Sequence, residues 1–388
     1  MAHNILKLNA ISPVADKYFL DSYNVGTDVS NPDGIMLRSF NMHEYELGEN
    51  LLAVARAGAG VNNIPIDKCA EKGIVVFNTP GANANAVKEL VLCNLLLASR
   101  KITAAIDWVK TLKGKGAEVG KLVEKGKSNF VGGEIQGKKL GIIGLGAIGG
   151  MVANAAIELG MEVYGYDPFL SVDTAWTISR NVKRIDKIET IYAECDYITI
   201  HVPFKATMKD TYNKEVFAKM KHGAALINCS RGELVNNEDV IEAVKSGKLS
   251  RYVTDFPADE LIGADDNIIC IPHLGASTPE AEDNCAEMAA RQLVEYIENG
   301  NIINSVNYPN NSMPRSGDHR VCILHYNKTE MLSKFTQIIS NEGVNIESFS
   351  NRTRNDYAYC IVDICGEPNP SIYKDLMAVE GVIKVRII

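Results

Sequence analysis

The six residues Gly144-Leu145-Gly146-Ala147-Ile148-Gly149 constrain the fold of this chain more than any other feature. They follow an apolar run, Leu140-Gly141-Ile142-Ile143, and open a helical pattern from Ile148 to Leu159. Strand, glycine turn and helix in that order begin a nucleotide-binding sheet, because amides at the helix start can face a diphosphate. The three glycines have separate duties. Gly144 permits the tight turn, Gly146 lets a phosphate approach the backbone, and Gly149 allows close helix–strand packing.

The next predicted strand, Met161 to Tyr166, ends at Asp167. A carboxylate there accepts hydrogen bonds from both ribose hydroxyls and repels a 2'-phosphate, which favours NAD over NADP. Pro168 and Phe169 follow it, with no arginine immediately after.

More apolar runs continue the series as strands: Tyr197 to His201, Ala225 to Asn228, Arg251 to Thr254 and Ile268 to Ile271. The whole reads as a doubly wound domain. The first hundred residues show the same alternation. Gly34 to Leu37, Leu51 to Ala55 and Ile74 to Phe77 look like buried strands, and Ala84 to Ser99 like a helix. Such alternation implies a parallel sheet covered on both faces. Lys113 to Gly137 reads as loop, its basic part up to Lys127 as a solvated one. Ser277-Thr278-Pro279-Glu280 opens a helix reaching Asn299, with a capping box and an early proline. Residues 309–318 read as a linker. Beyond them the pattern is strand (Val321 to His325), helix (Met331 to Asn341), strand, strand (Tyr357 to Ile364), helix, strand (Val382 to Ile388), a small separate unit.

The formal charge of −8 argues against a nucleic-acid partner. No apolar run is long enough for a membrane span, and Met1 to Leu8 reads as a short strand in place of a signal core. The nine cysteines are scattered and contain no CxxC pair, so no metal site and no disulfide framework is expected. A reducing cytoplasm is the simplest setting.

Three further segments follow predicted strands, where ligands of such sheets bind. They are Ile227 to Gly232, Asp255 to Glu260 and Ile271 to Thr278. Oxidising an alcohol by hydride transfer needs a base for the hydroxyl proton, and an imidazole suits that task. A neighbouring carboxylate stabilises the protonated ring. A guanidinium holds a substrate carboxylate with two hydrogen bonds. His273, Glu260 and Arg231 match these three roles.

From about Arg56 to Pro309 the chain resembles the D-2-hydroxyacid dehydrogenase family. The likeness rests on Arg56-Ala57-Gly58-Ala59-Gly60-Val61-Asn62-Asn63, on Asn78-Thr79-Pro80-Gly81, on the Arg231 motif and on Pro272-His273-Leu274-Gly275-Ala276-Ser277-Thr278. The resemblance implies Arg231, Glu260 and His273 as the catalytic set. It implies NAD contacts at Ala147, Ile148, Asp167, His201, Val202, Pro203, Cys229, Ser230, Asp255, His273 and Gly275, with Asp255 on the nicotinamide amide. Leu37-Arg38-Ser39 resembles the segment that contacts a substrate phosphate, so Arg38, Ser39, Arg56 and Gly58 join Arg231 and His273 as expected substrate residues. Two departures stand out. Asp255-Phe256-Pro257 replaces the commoner Asp-Val-Phe, and the stretch from Glu260 to His273 is short.

The resemblance also implies an architecture. A Rossmann-type NAD-binding domain (residues 101–277) is inserted in a flavodoxin-like α/β substrate domain (1–100 and 278–308), with closure between them excluding water. Residues 319–388 resemble an ACT domain, an α+β ferredoxin-like regulatory module, through His325-Tyr326-Asn327 and Gly343-Val344-Asn345-Ile346. An L-serine effector at His325, Asn327 and Asn345 is implied, although Thr329-Glu330 stands where Pro-Gly is usual. The expected reaction is NAD-dependent oxidation of D-3-phosphoglycerate to 3-phosphooxypyruvate, the entry to L-serine synthesis, in a homodimer or homotetramer. A hydroxypyruvate or glyoxylate reductase is the alternative enzyme, and a non-catalytic NAD-sensing corepressor the alternative of another class.

Overall fold

A computed structural model describes residues 3–388, so Met1 and Ala2 of the expected first strand lie outside the described residues. The chain forms two compact units, one of residues 3–83 with 279–388 and one of 84–278.

The first unit opens with β1 (His3–Leu8), β2 (Tyr23–Gly26), β3 (Gly34–Leu37), β4 (Ala53–Arg56) and β5 (Val75–Phe77). They pair in parallel in the order β2-β1-β3-β4-β5, the flavodoxin-like order. Ile35, Met36, Val54, Ala55, Val75 and Val76 are buried to the last few per cent, as expected of strands covered on both faces.

In the second unit β6 (Lys139–Ile143), β7 (Glu162–Tyr166), β8 (Lys183–Arg184), β9 (Tyr197–Ile200), β10 (Ala224–Asn228), β11 (Leu249–Thr254) and β12 (Ile268–Cys270) form a parallel sheet. Its order is β12-β11-β10-β9-β6-β7-β8. The chain reverses its direction of winding between β6 and β9, the switch point beyond whose carboxyl strand ends ligands of such sheets bind. The helix Ala84–Ser99 runs over the predicted residues but belongs to this unit, not to the first lobe where residues 1–100 were placed.

The solvated loop expected over Lys113 to Lys127 is instead helical in part, over Val119–Gly126. Val119, Leu122 and Val123 form a half-buried apolar stripe at helical spacing, and Gly126 rests against Trp108. The glycines and lysines between them hide that period in the sequence. The helix opened by Ser277 also starts later, with Pro279 at its first position.

Back in the first unit, the helix Pro279–Asn299 is followed by β13 (His319–Tyr326), β14 (Asn345–Arg354), β15 (Tyr357–Cys365) and β16 (Val382–Ile387). These pair antiparallel in the order β14-β15-β13-β16, with helices Met331–Asn341 and Ser371–Met377 between strands. This is the expected ferredoxin-like pattern. The helices cover one face through Phe335, Ile339, Ile372 and Leu376. Cys322, Leu324, Tyr359 and Ile361 point the other way and share a core with Leu293, Tyr296 and Phe77.

The expected separate unit is therefore packed onto the first lobe. The physical reason is a second apolar face, plus a buried ion pair on paired strand residues. Arg320 Nε donates to Asp363 Oδ1 at 2.6 Å, and Arg320 Nη1 to the Asn299 carbonyl at 2.7 Å. The Arg320 guanidinium holds the Asp363 carboxyl below its ordinary range against the opposing effect of burial. Within residues 309–318, Asn311 is buried and donates to the carbonyls of Ser350 and Tyr359.

Candidate active site

The glycine turn begins at the end of β6. Gly144 has φ +93°, and a Cβ there would lie 2.5 Å from the His201 carbonyl oxygen. The turn is thus wedged against the end of β9. Gly149 is bound by packing, since a Cβ would collide with the Gly144 carbonyl oxygen. Gly146 differs: nothing lies within 4 Å of a Cβ placed there. It caps the helix Ala147–Glu158, which has no side-chain cap. Uncapped amides beside an open glycine fit a diphosphate.

Asp167 sits just beyond β7. It accepts from the Leu145 amide at 2.9 Å and from the Phe169 amide at 2.8 Å. Those two bonds fix the carboxylate against the turn, and an ionised carboxylate has acceptor capacity left for ribose hydroxyls. Beside it opens a cavity of about 520 Å³ lined by Leu145, Pro168, Ile178 and Val182 among others. Arg180 and Arg184 also line it. Neither was visible as part of the site in the sequence, because a search just after Asp167 stops at Phe169. The folding of residues 171–184 brings them back.

The ends of β9 to β12 carry the rest. His201, beyond β9, donates its amide to the Ile143 carbonyl, and its ring Nε2 lies 3.0 Å from Thr199 Oγ1. Burial pushes its imidazole down to about 4, so the ring is neutral at pH 7. Val202 touches the turn at Gly144, and Ser230 Oγ donates to the Val202 carbonyl. Pro203 is exposed. Cys229 is buried beside Asn94, whose amide lies 3.1 Å from its sulfur, and burial pushes the thiol up to about 12. It is held as a neutral thiol, not a nucleophile.

Arg231 is exposed on the loop after β10. Buried Asn228 shapes that loop, donating to the Arg231 carbonyl at 2.8 Å and accepting from the Ser230 amide at 3.1 Å. Asn228 is a brace the motif reading overlooked.

Asp255 is buried, and its carboxylate accepts from the Leu274 amide at 2.7 Å and the Gly275 amide at 2.8 Å. It therefore clamps the loop that carries His273. Burial raises its pKa and these amides oppose that shift. Gly275 leaves the needed room, since a Cβ would sit 3.1 Å from Asp255 Oδ2. His273 itself has φ +52° and an exposed ring. A non-glycine residue in that region is strained and is retained where the surroundings determine it. Its ring packs against Phe256, with centroids 4.8 Å apart. Glu260 is exposed on the turn after β11 and makes no ion pair with His273 among the described residues.

The substrate residues expected on the first unit gather at the ends of β3 and β4. Register pairs Leu37 with Arg56, so Arg38 and Arg56 are neighbours. Arg56 Nε donates to the Arg38 carbonyl at 3.0 Å. Gly58 lets the Arg56 guanidinium lie over the backbone, where a Cβ would be 2.6 Å away. Ser39 is exposed beside them. Arg38 also pairs with Glu282 at 2.6 Å.

The three expected effector residues are not brought together within one chain. His325 is buried, with ring nitrogens 2.8 Å from the Tyr326 carbonyl and 3.1 Å from Asn351 Oδ1. Asn327 donates to the Asn355 carbonyl at 3.2 Å. Asn345 donates to Glu347 and pairs with Cys365, whereas His325 pairs with Ala358. The two lie at opposite ends of β15, about 24 Å apart along the strand.

A parallel dinucleotide sheet with an arginine, a carboxylate and a histidine on its strand ends defines a nicotinamide-dependent oxidoreductase. Residues 92–275 match the model of the D-isomer specific 2-hydroxyacid dehydrogenase NAD binding domain. The chain is 33% identical over 354 residues to the D-3-phosphoglycerate dehydrogenase of Haemophilus influenzae, covering 88% of this chain and 82% of the relative. It is 34% identical over 305 residues to the enzyme of that name from Methanocaldococcus jannaschii, covering 77% and 55%. An NAD+-bound 3-phosphoglycerate dehydrogenase structure from Entamoeba histolytica superposes with a TM-score of 0.63 at 26% identity, over 79% of this chain and 99% of that one. The chain belongs to the D-isomer-specific 2-hydroxyacid dehydrogenase family and carries its NAD-binding domain.

Proposed function

We propose that this chain oxidises D-3-phosphoglycerate to 3-phosphooxypyruvate with NAD. The observation that carries the substrate is the meeting of the ends of β3 and β4, where Leu37 pairs with Arg56 and the Arg56 side chain donates to the Arg38 carbonyl. A phosphate dianion is best met by more than one cation. The 82% coverage of the Haemophilus influenzae phosphoglycerate enzyme supports the same reading.

In this reading Arg231 grips the substrate carboxylate and polarises the adjacent C–O bond. His273 takes the hydroxyl proton as the hydride leaves. NAD supplies the hydride acceptor. Glu260, exposed and not paired with His273, would turn onto the ring to stabilise the protonated imidazole, and Asp255 keeps the His273 loop in place. Glyoxylate and hydroxypyruvate reduction remains the second reading, favoured by the Arg38–Glu282 ion pair, which a phosphate would have to displace.

The test is NADH formation with D-3-phosphoglycerate, D-glycerate and D-lactate, repeated with Arg38→Met and Arg56→Met. The phosphorylated substrate should be preferred, and both variants should raise its KM about tenfold or more while leaving D-glycerate unchanged. Preference for an unphosphorylated acid supports the second reading. No turnover by the parent chain on any of them leaves the corepressor.

The proposal extends to a cytoplasmic homodimer or homotetramer regulated by L-serine. Because His325 and Asn345 sit at opposite ends of the sheet, such a site needs residues from two copies. An unchanged rate at millimolar L-serine removes that part alone.

A further inference from the structure

We propose that Phe256 is the positioning residue for the His273 imidazole. This rests on the catalytic reading of His273 given above. Phe256 follows the loop-clamping Asp255 directly. It is only half-buried, so it is not a core filler.

Its neighbours are two site segments. Its ring lies 4.8 Å from the His273 ring, tilted by 52°. That is within the range of favourable aromatic pairs. Its Cβ lies 3.1 Å from where a Cβ on Gly232 would be, next to Arg231. One side chain thus touches both the His273 ring and the loop that carries Arg231.

The backbones on both sides are pinned. The Phe256 amide donates to Thr254 Oγ1 at 3.1 Å, and that hydroxyl donates to the Asn228 carbonyl at 3.2 Å. The His273 amide donates to the carbonyls of Asp255 and Ile271. With main chains fixed, the remaining freedom of His273 is rotation of its exposed side chain. No ion pair with Glu260 restrains that rotation among the described residues. The Phe256 ring does, by occupying one side of it. Removing the ring lets the imidazole enter other staggered rotamers. The base then spends less time aligned with the hydroxyl proton, which lowers turnover more than binding.

The experiment compares the full-length chain with Phe256→Ala, Phe256→Leu and Phe256→Tyr. Phe256→Ala should lower kcat by about ten- to a hundredfold while KM for NAD and for the hydroxy acid changes less than about twofold. Phe256→Tyr should restore most of kcat, and Phe256→Leu only part. Histidine-ring NMR supplies a readout independent of turnover, because the His273 ring protons sit in the Phe256 ring current. Those resonances should move in Phe256→Ala and stay near their parental positions in Phe256→Tyr. A kcat within about twofold of the parent in Phe256→Ala overturns the proposal. So does a loss of kcat with unmoved His273 resonances. If the parent oxidises no hydroxy acid, the functional reading fails, while the resonance shift still decides whether Phe256 sets the ring.

Discussion

The turn into the helix Ala147–Glu158 and the turn into the helix Met331–Asn341 make the same demand on the backbone and meet it with different residues. Gly144 has φ +93° and Glu330 has φ +65°. At Gly144 the space is also closed, because a Cβ would lie 2.5 Å from the His201 carbonyl oxygen. At Glu330 the side chain is exposed and reaches Lys334, 3.7 Å away. A left-handed residue costs about 1–2 kcal/mol, which a folded domain can absorb. What makes glycine obligatory at the cofactor turn is the close approach of β9 and the helix. The C-terminal turn has only the backbone cost, so a glutamate survives there.

The strongest way to break that comparison is Gly149→Ala. Its Cβ would collide with the Gly144 carbonyl oxygen, and both groups are main chain-bound with little room to yield. We expect a loss of about 3 kcal/mol, at the upper end of overpacking costs, together with loss of NAD binding. Urea unfolding and NADH fluorescence titration measure the two. A variant as stable as the parent would show that the helix is not seated on the turn.

His201 sharpens the same corner through pH. Its folded pKa is about 4, below the ordinary value near 6.5. Between those values the unfolded chain binds more protons than the folded one, so stability rises with pH there. The contribution is fully present above pH 6.5 and is lost as pH falls toward 4. The residue is only half-buried, so about 2 kcal/mol is expected. Urea midpoints at pH 7 and pH 4.5 should show the drop, and His201→Gln should remove that share of it. An identical pH slope in the variant would assign the drop to other groups.

These residues differ in how far the sequence announces them. The glycine turn, Asp167 and the helices Ala84–Ser99 and Met331–Asn341 were legible, because each is a local pattern backed by its own geometry. The Val119–Gly126 helix was hidden by lysine and glycine between its apolar residues. Docking of the C-terminal sheet was hidden for another reason. Arg320 and Asp363 are charged residues that a linear reading places in water, yet both are buried as a pair. The Phe256–His273 contact and the return of Arg180 and Arg184 to the Asp167 cavity are tertiary facts with no short motif. Glu260 shows the reverse. Its place after a predicted strand suggested a carboxylate partner for His273, and the structure leaves it exposed, with no ion pair to that ring among the described residues.

Gly146→Ala separates the two kinds of glycine within the cofactor turn. A Cβ there meets nothing within 4 Å, and the backbone has φ −66°, open to any residue. Folding stability should be unchanged. NAD affinity should fall about tenfold, roughly 1.4 kcal/mol, because the methyl intrudes where the diphosphate approaches. Isothermal titration gives the affinity and a thermal melt without NAD gives the stability. Equal losses in both would mean that Gly146, like Gly149, serves packing.

The smallest effect belongs to Glu330→Gly. Relief of the left-handed backbone returns about 1–2 kcal/mol, while the added freedom of glycine in the unfolded chain takes back about 0.5–1. Losing the exposed i,i+4 pair with Lys334 removes a few tenths more, about 0.3 kcal/mol. A net gain of about 0.5 kcal/mol remains, visible as a small rise in the melting temperature. Glu330→Ala controls for the ion pair, since it loses the pair and keeps the strain, and it should be less stable than the parent. If Glu330→Gly also falls below the parent, the ion pair outweighs the backbone, and the two turns differ in what their side chains contribute as well as in the space around them.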